Sequence, residues 1–356
     1  MTVEKLEYEG FRNIRELTVI PSPGVNVIYG ENAQGKTNLL EGIWMFTGFK
    51  SFRAVKDSEL VQFGSPFARL KTVYSDERRD NEAEIKITAR RNFRLNGVGL
   101  KSSREMLGRF GAVIFAPEFM NIVKNGAAER RSFTDTAICR LSPSSAALMT
   151  EYERVLKQRN SLIKNSEGRP DPDLLDCLDE ELCAAGEKLV RLRKRYLEIL
   201  TPETEKIYDG ISSGREKISL SYVRHGLNES ESMLSRLRQN RERDLFSGMT
   251  SVGPHRDDIE IMINGTAART FGSQGQLRSC AIALKLGESE VIAAKTSTQP
   301  VVLLDDVMSE LDESRQNYIL NSISDRQVFI TCCDKETVKR LGDGKRFEIL
   351  NGKVRE

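Results

Sequence analysis

Histidine is nearly missing from this chain of 356 residues, which has only His225 and His255. The six cysteines, Cys139, Cys177, Cys183, Cys280, Cys332 and Cys333, include no C-x-x-C pair. That combination argues against a zinc site or a disulfide framework and suits reduced thiols in a cytosolic protein. Long apolar runs are also missing. None approaches the roughly 18 residues that would span a bilayer, and the opening MTVEKLEYEG has no apolar signal-peptide core. No membrane contact is expected. Charge of one sign is missing too, because 54 basic residues face 52 acidic ones for a net +2. Bulk charge therefore does not announce a nucleic-acid binder, and any basic surface has to be local. No internal repeat or low-complexity tract is visible. What is present, 39% hydrophobic and 30% charged residues, suits a globular protein with a sizeable core and a highly charged surface.

The stretch GENAQGKTNLL, residues 30 to 40, fits G-x-x-x-x-G-K-[ST] with Gly30, Gly35, Lys36 and Thr37 in place. Such a match arises by chance in roughly one chain in a hundred of this size, so its surroundings decide. Val25, Val27, Ile28 and Tyr29 before it form a short β-prone run, and Leu39, Leu40, Ile43 and Trp44 after it recur at helical spacing. Strand, glycine loop and helix form the setting of a phosphate-binding P-loop. The glycines turn backbone amides inward, and the helix N-terminus adds partial positive charge. Lys36 would reach the β- and γ-phosphates of a nucleotide, and the Thr37 hydroxyl would ligate Mg²⁺. The plainer alternative is a strand-to-helix turn.

An acidic partner for the metal is offered by PVVLLDDVMSELD, residues 300 to 312. Val301 to Leu304 read as a buried parallel strand with Asp305 and Asp306 at its C-terminal end, where open α/β sheets bind ligands. Asp305 is the candidate Mg²⁺ carboxylate and Asp306 the candidate that polarises the attacking water. The bland reading is a strand ending in a solvated acidic turn. Upstream, the polar loop GSQGQ leads into an apolar-rich helix, with Ser273 placed as an N-cap beside free amides. An ordinary capped helix is the alternative there.

SQGQLRS before VVLLDD, followed by SELD, resembles the signature, Walker B and D-loop series of ABC-type ATPases. FRNI at 11 to 14, NVIYGENAQGKTNLLE, RRSFTD, SVGPHRDDIEIMING and DDVMSELDESRQNYIL resemble the RecF branch of the SMC-type ATPases, over residues 5 to 350. The resemblance implies an α/β fold. A P-loop ABC-type ATPase head is assembled from both chain ends, and an inserted helical domain carries a short antiparallel coiled-coil arm. Gly30, Glu31, Asn32, Ala33, Gln34, Gly35, Lys36 and Thr37 would line the nucleotide, and Arg12 would join them. Ser273, Gly275 and Gln276 would close over the ATP of a second copy in trans. ATP and Mg²⁺ are the implied cofactors, with Thr37 and Asp305 on the metal and Lys36 and Asp306 in catalysis. The implied activity is a weak DNA-dependent ATPase acting as a clamp on double-stranded and gapped DNA. Its context would be repair, recombination, replication and the SOS response. Its partners would be an ATP-dependent homodimer mate, RecR, RecO and functionally RecA, and its place the nucleoid of the cytoplasm. Four positions depart from the family pattern: Ala33 for glycine, acceptable if its φ is negative; Phe119 for aspartate; Leu277 for glutamine; and Cys332 near the place of a switch histidine.

Three segments are expected. Residues 1–125 would form the N-terminal part of the head, with hairpins and an Asn96-Gly97 turn. Residues 126–244 would form the arm domain. Residues 245–356 would form the C-terminal part of the head, ending in a hairpin at Asn351-Gly352. In the arm, Leu148, Tyr152, Val155 and Leu162 keep a 3-4 repeat with Arg159 interrupting. Leu175, Leu178, Leu182, Ala185, Leu189, Leu192, Tyr196 and Ile199 repeat without a break. That longer run covers about 28 residues or roughly 42 Å, far short of an SMC arm, and also suits a bundle core. DNA contact is expected from Arg191, Arg193, Lys194 and Arg195, or from Arg90, Arg91 and Arg94, from Lys101 and Arg104, or from Arg130 and Arg131. A charge run on a helix is more often a solvated face. A transporter ATP-binding subunit would lack the arm, and a small-molecule P-loop kinase would lack the signature helix.

Overall fold

The computed structural model describes residues 1–356 apart from Val55, Arg78, 167–168, 229–230, 309–310, 334–343 and Glu356. The chain divides into two compact units, Met1–Phe119 with Ile282–Glu356, and Met120–Ala281. One unit is thus built from both chain ends, and the other from the sequence between them.

In the first unit, two six-stranded sheets share one core. The antiparallel sheet runs Ile14–Val19, Thr2–Phe11, Ala68–Ser75, Asp80–Ile87, Arg91–Leu95 and Val98–Gly99 in spatial order. Its strands alternate buried and exposed residues, as a sheet with one wet face must. Asn96 and Gly97, at φ 51° and 79°, make the tight turn that joins its last two strands. The second sheet runs Lys353–Arg355, Lys345–Leu350, Val25–Tyr29, Val328–Cys332, Val301–Asp305 and Ala112–Phe115. It is parallel except for the terminal hairpin at Asn351-Gly352. Val301–Leu304 are fully buried, so apolar burial on both faces, with no alternation, fixes this strand in the middle. Val328–Cys332 lies between the strand before the glycine loop and the strand before Asp305, which brings two distant stretches of sequence to one sheet end.

In the second unit, the helices Ser145–Asn165 and Pro172–Ser212 run back along each other. Arg159 meets Asp179 while Arg154 meets Glu181, an antiparallel register. The longer helix has 41 residues, about 60 Å, so the expected run of about 28 residues ended too early. Pro202 sits on its exposed face, and the helix continues past it because Thr204, Ile207, Tyr208 and Ile211 remain buried. Beyond Tyr196 the buried positions drift from the seven-residue repeat to Leu197 and Leu200, with Ile199 only half-buried, as an unsupercoiled helix requires. The seam is also covered. Met233, Leu237 and Val252 complete the cluster of Tyr152, Val155, Leu178, Leu182, Ala185 and Leu189, so this stretch packs as a small bundle. Arg159, the apparent interruption, is fully buried. Its Nε donates to Asp179 at 2.5 Å and its Nη1 to Asp244 at 2.8 Å and Thr250 at 2.9 Å. Loss of one partner of such a buried pair costs about 3–5 kcal/mol.

The expected boundaries at 125 and 244 move to 119 and 281. The second shift has a plain cause. Asp258–Ile263 pairs antiparallel with Ile218–Val223 and with Thr266–Ala267, so residues after 245 complete a sheet begun before it.

Candidate nucleotide site

The glycine loop leaves the strand Val25–Tyr29 and enters the helix Lys36–Met45. Gly30 has φ 148°, and a Cβ there would meet the Ile349 carbonyl oxygen at 2.4 Å. Gly35 has φ 113°, and a Cβ there would meet Asn13 Oδ1 at 2.7 Å. Both positions require glycine, for conformation and for space. Ala33 overturns an expectation. Its φ is 64°, in the left-handed region, where a side chain costs about 1–2 kcal/mol. Asn13 Nδ2 donates to the Ala33 carbonyl at 3.2 Å and helps hold that strained turn. Gln34 is held from the other end of the chain, since Asn351 N donates to Gln34 Oε1 at 2.6 Å and Gly352 N to the Gln34 carbonyl at 3.0 Å.

The Lys36 ammonium lies across this loop and donates to the carbonyls of Gly30 at 2.7 Å and Glu31 at 2.8 Å. Thr37 Oγ1 donates to Asp305 Oδ1 at 2.9 Å, across 268 residues of sequence. The same carboxylate oxygen accepts from Thr331 Oγ1 at 2.8 Å, while Asp306 N donates to Thr331 Oγ1 at 2.9 Å. Asp306 takes φ 53°, a strained turn directly after the strand. A hydroxyl and a carboxylate side by side are hard oxygen donors that fit a Mg²⁺ ion taking its other ligands from phosphate and water. Among the described residues, no group of three or more histidine, cysteine, aspartate or glutamate side chains could hold a metal.

Burial raises the Asp305 pKa, and the Thr331 and Thr37 hydroxyls only partly oppose the shift. A carboxyl raised in the fold stabilises below its unfolded pKa and loses that contribution as pH rises through the folded value. At neutral pH the ionised group is therefore held against its surroundings. Asp305→Asn is expected to unfold at the same or a higher temperature than the parent without nucleotide, and to lose Mg²⁺-dependent nucleotide binding. Thermal melts and ATP titrations with and without Mg²⁺ check both halves. A clearly lower melting temperature would show that the acceptor role outweighs the cost of burial.

Arg12, expected at the nucleotide, pairs with the helix after the loop. Its Nε and Nη2 donate to Glu41 Oε2 and Oε1 at 2.9 and 2.8 Å, and its Nη1 to the Glu59 carbonyl at 3.1 Å. Glu41 is fully buried on the helix after the loop, so FRNI braces that helix. Asn13, Glu41 and Thr331 escape sequence reasoning. Only Thr331, a polar residue ending the apolar run VFIT, carries a local signal. Cys332 is buried, and the Cys333 thiol donates to Asn32 Oδ1 at 2.9 Å. Phe119 stacks under the Lys285 ammonium, 4.6 Å from the ring centroid. Ser309 and Glu310 of SELD lie outside the described residues. Asp312 caps the helix Glu313–Ser322 through Arg315 N at 3.0 Å.

In the second unit, Ser273 is exposed and caps the helix Gln274–Thr296, with Gln276 N donating to Ser273 Oγ at 3.2 Å. Leu277 is buried behind it. His255 is held neutral, its pKa pulled down to about 4 chiefly by burial. Its Nε2 faces the Thr250 carbonyl at 3.1 Å, so that nitrogen carries the proton, and Nδ1 accepts from the Tyr152 hydroxyl at 2.6 Å.

The expected basic clusters separate. Arg193 is buried and forms a bidentate pair with Asp135 at 2.8 Å, with a further bond to the Pro254 carbonyl. Arg130 is likewise paired with Asp258, and Arg131 donates to the Asp257 carbonyl. Arg91 is tied to Asp57 and to the Phe49 carbonyl. These four residues hold structure together. Arg191, Lys194 and Arg195 are exposed on one helix face, and Arg90, Arg94, Lys101 and Arg104 are exposed as well.

A family model described as the RecF/RecN/SMC N terminal domain matches residues 2–351. The DNA replication and repair protein RecF of Agathobacter rectalis is 38% identical, with 99% of each chain covered. That of Clostridium acetobutylicum is also 38% identical, over the full length of both chains. Solved structures of the recombination mediator protein RecF of the RecFOR pathway, with ATP among them, are 36% identical and superpose with a TM-score of 0.91 over 99% of this chain and 97% of theirs. An Smc head domain from Pyrococcus furiosus, at 17% identity and a TM-score of 0.58 over 99% of this chain, shares the fold. With the P-loop, the paired aspartates and the capped signature helix in one α/β chain of matching length, the chain belongs to the RecF family.

Proposed function

We propose that the chain is a DNA-repair clamp of RecF type, in which ATP with Mg²⁺ joins two copies and slow, DNA-stimulated hydrolysis parts them. The observation that supports this reading is the 2.9 Å bond from Thr37 to Asp305, which joins the glycine loop to the candidate metal carboxylate from opposite ends of the chain. Lys36, withdrawn from the loop carbonyls, binds the β- and γ-phosphates. Thr37 and Asp305 would hold Mg²⁺, whose chemistry when bound would be to neutralise charge on the phosphates. Asp306, anchored through its backbone to Thr331, orients the attacking water. The exposed cap at Ser273 closes, with Gly275 and Gln276, over the ATP of the second copy, because amides at a helix start favour an anion. The ATP-bound pair grips duplex or gapped DNA and, with RecO and RecR, helps load RecA in the nucleoid. Curated relatives named for DNA replication and repair, and solved relatives named for the RecFOR pathway and for ATP, support this reading. No helix among the described residues is long and apolar enough to cross a membrane.

Sedimentation with duplex DNA, with and without ATP, tests the proposal. Binding is expected only with ATP and weakens as salt rises, with a slope of roughly −0.9 per neutralised phosphate. Equal binding without ATP would remove the clamp. Replacing Arg191, Lys194 and Arg195 together by glutamine is expected to flatten that slope by about 2–3. Arg193→Gln should instead lower the melting temperature, because it strands Asp135.

A further inference from the structure

The start of the helix Gln274–Thr296 carries a reciprocal cap. Gln276 N donates to Ser273 Oγ at 3.2 Å, and Ser273 N donates to Gln276 Oε1 at 2.7 Å. The cap uses the Gln276 carbonyl oxygen and leaves its amide nitrogen, which donates to Glu216 Oε1 at 2.7 Å. The other oxygen of Glu216 accepts from the Tyr208 hydroxyl at 2.7 Å. Tyr208 is fully buried in the last turns of the helix Pro172–Ser212, and burial pushes its ionisation well up, so it remains a donor. Glu216 lies just past that helix. Ser213 ends the helix at φ 55°, and Ser212 Oγ donates to the Glu216 carbonyl at 3.3 Å. One carboxylate therefore ties the signature cap to the end of the helix that displays Arg191, Lys194 and Arg195.

We propose that Glu216 is a positioning residue for the signature loop: it orients the Gln276 amide, and with it Ser273 and the amides at the helix start, for closure over a nucleotide. The closure itself rests on the function proposed above, while the orientation stands on this chain alone. Glu216→Ala removes both acceptors. Glu216→Gln is the conservative variant, since its amide oxygen still accepts from Gln276 and its amide nitrogen can donate to the Tyr208 oxygen.

Amide hydrogen exchange of the protein without nucleotide is the deciding measurement. In Glu216→Ala, exchange at residues 273–277 is expected to rise about tenfold, the size of one hydrogen bond to a charged group. Exchange at residues 152–159 stays at the parental rate. Glu216→Gln brings residues 273–277 back toward the parent. ATP affinity stays unchanged, because Lys36 is untouched, while ATP-dependent dimerisation weakens about tenfold and recovers in Glu216→Gln. Parental exchange at 273–277 in Glu216→Ala, or a rise spread over the whole unit, would overturn the positioning role. Parental dimerisation despite faster exchange would overturn its part in closure. A parent protein that fails to dimerise with ATP would overturn the proposed function, and the exchange result would still decide the role of Glu216.

Discussion

Lys36→Ala binds ATP about a hundredfold more weakly, or worse, and retains its fold. In the proposed complex the ammonium makes at least two charge-assisted hydrogen bonds to phosphate, each worth about 1.5–3 kcal/mol, and 1.4 kcal/mol is tenfold in affinity. The cost to the fold is small for a reason visible at the loop. Among the described residues Lys36 donates to the carbonyls of Gly30 and Glu31, and these two residues are half-buried and exposed, so water can replace the lost donor. The loop keeps its shape through contacts that Lys36 does not make, from Asn13 to Ala33 and from Asn351 and Gly352 to Gln34. A nucleotide-binding titration paired with a thermal melt measures both halves. Parental ATP affinity in this variant would end the phosphate-cradle reading, and collapse of the melt would make Lys36 a structural residue.

Ser273→Arg binds ATP as the parent does but fails to dimerise with it. The side chain is exposed, so the larger residue folds, at a cost of about 1 kcal/mol for the lost cap. In the proposed dimer its bulk and charge then stand where the second copy approaches. Mixed with Lys36→Ala, it gives pairs with one doubly damaged site and one undamaged site, which joins Lys36 of one chain to Ser273 of the other. If a single intact site can turn over, two inactive proteins regain ATPase activity on mixing. A signature acting within its own chain cannot produce that recovery, because each chain keeps its own lesion. The decisive measurement uses Ser273→Arg alone. Parental ATP-dependent dimers, seen by sedimentation, would sink closure in trans.

Much of the candidate site's geometry was legible in the sequence because its elements are local. A strand, a glycine loop and a helix within about twenty residues define the proposed phosphate cradle. An apolar run ending in two aspartates marks a buried strand with two carboxylates at the tip, and Ser273 three residues before Gln276 spells a helix cap. Those patterns follow from backbone geometry and periodic burial, which any short segment carries with it. Other features depend on residues far apart in the chain. Arg191 and Arg193 look alike in sequence, and only the packing of the helix Pro172–Ser212 against Asp135 and Pro254 buries one and leaves the other in water. Ala33 reads as a mild departure from glycine, yet the loop, held by Asn13 and the C-terminal hairpin, forces it to positive φ. Arg12 is drawn to Glu41, and Thr331 is recruited to Asp305, by neighbours that strand order alone supplies. The unit boundary moves to 281 because a strand after 245 pairs with one before it. Local sequence determined which groups could do the chemistry. The tertiary structure decided which of them face water and which are bound to one another, because burial and pairing depend on what the rest of the chain brings alongside.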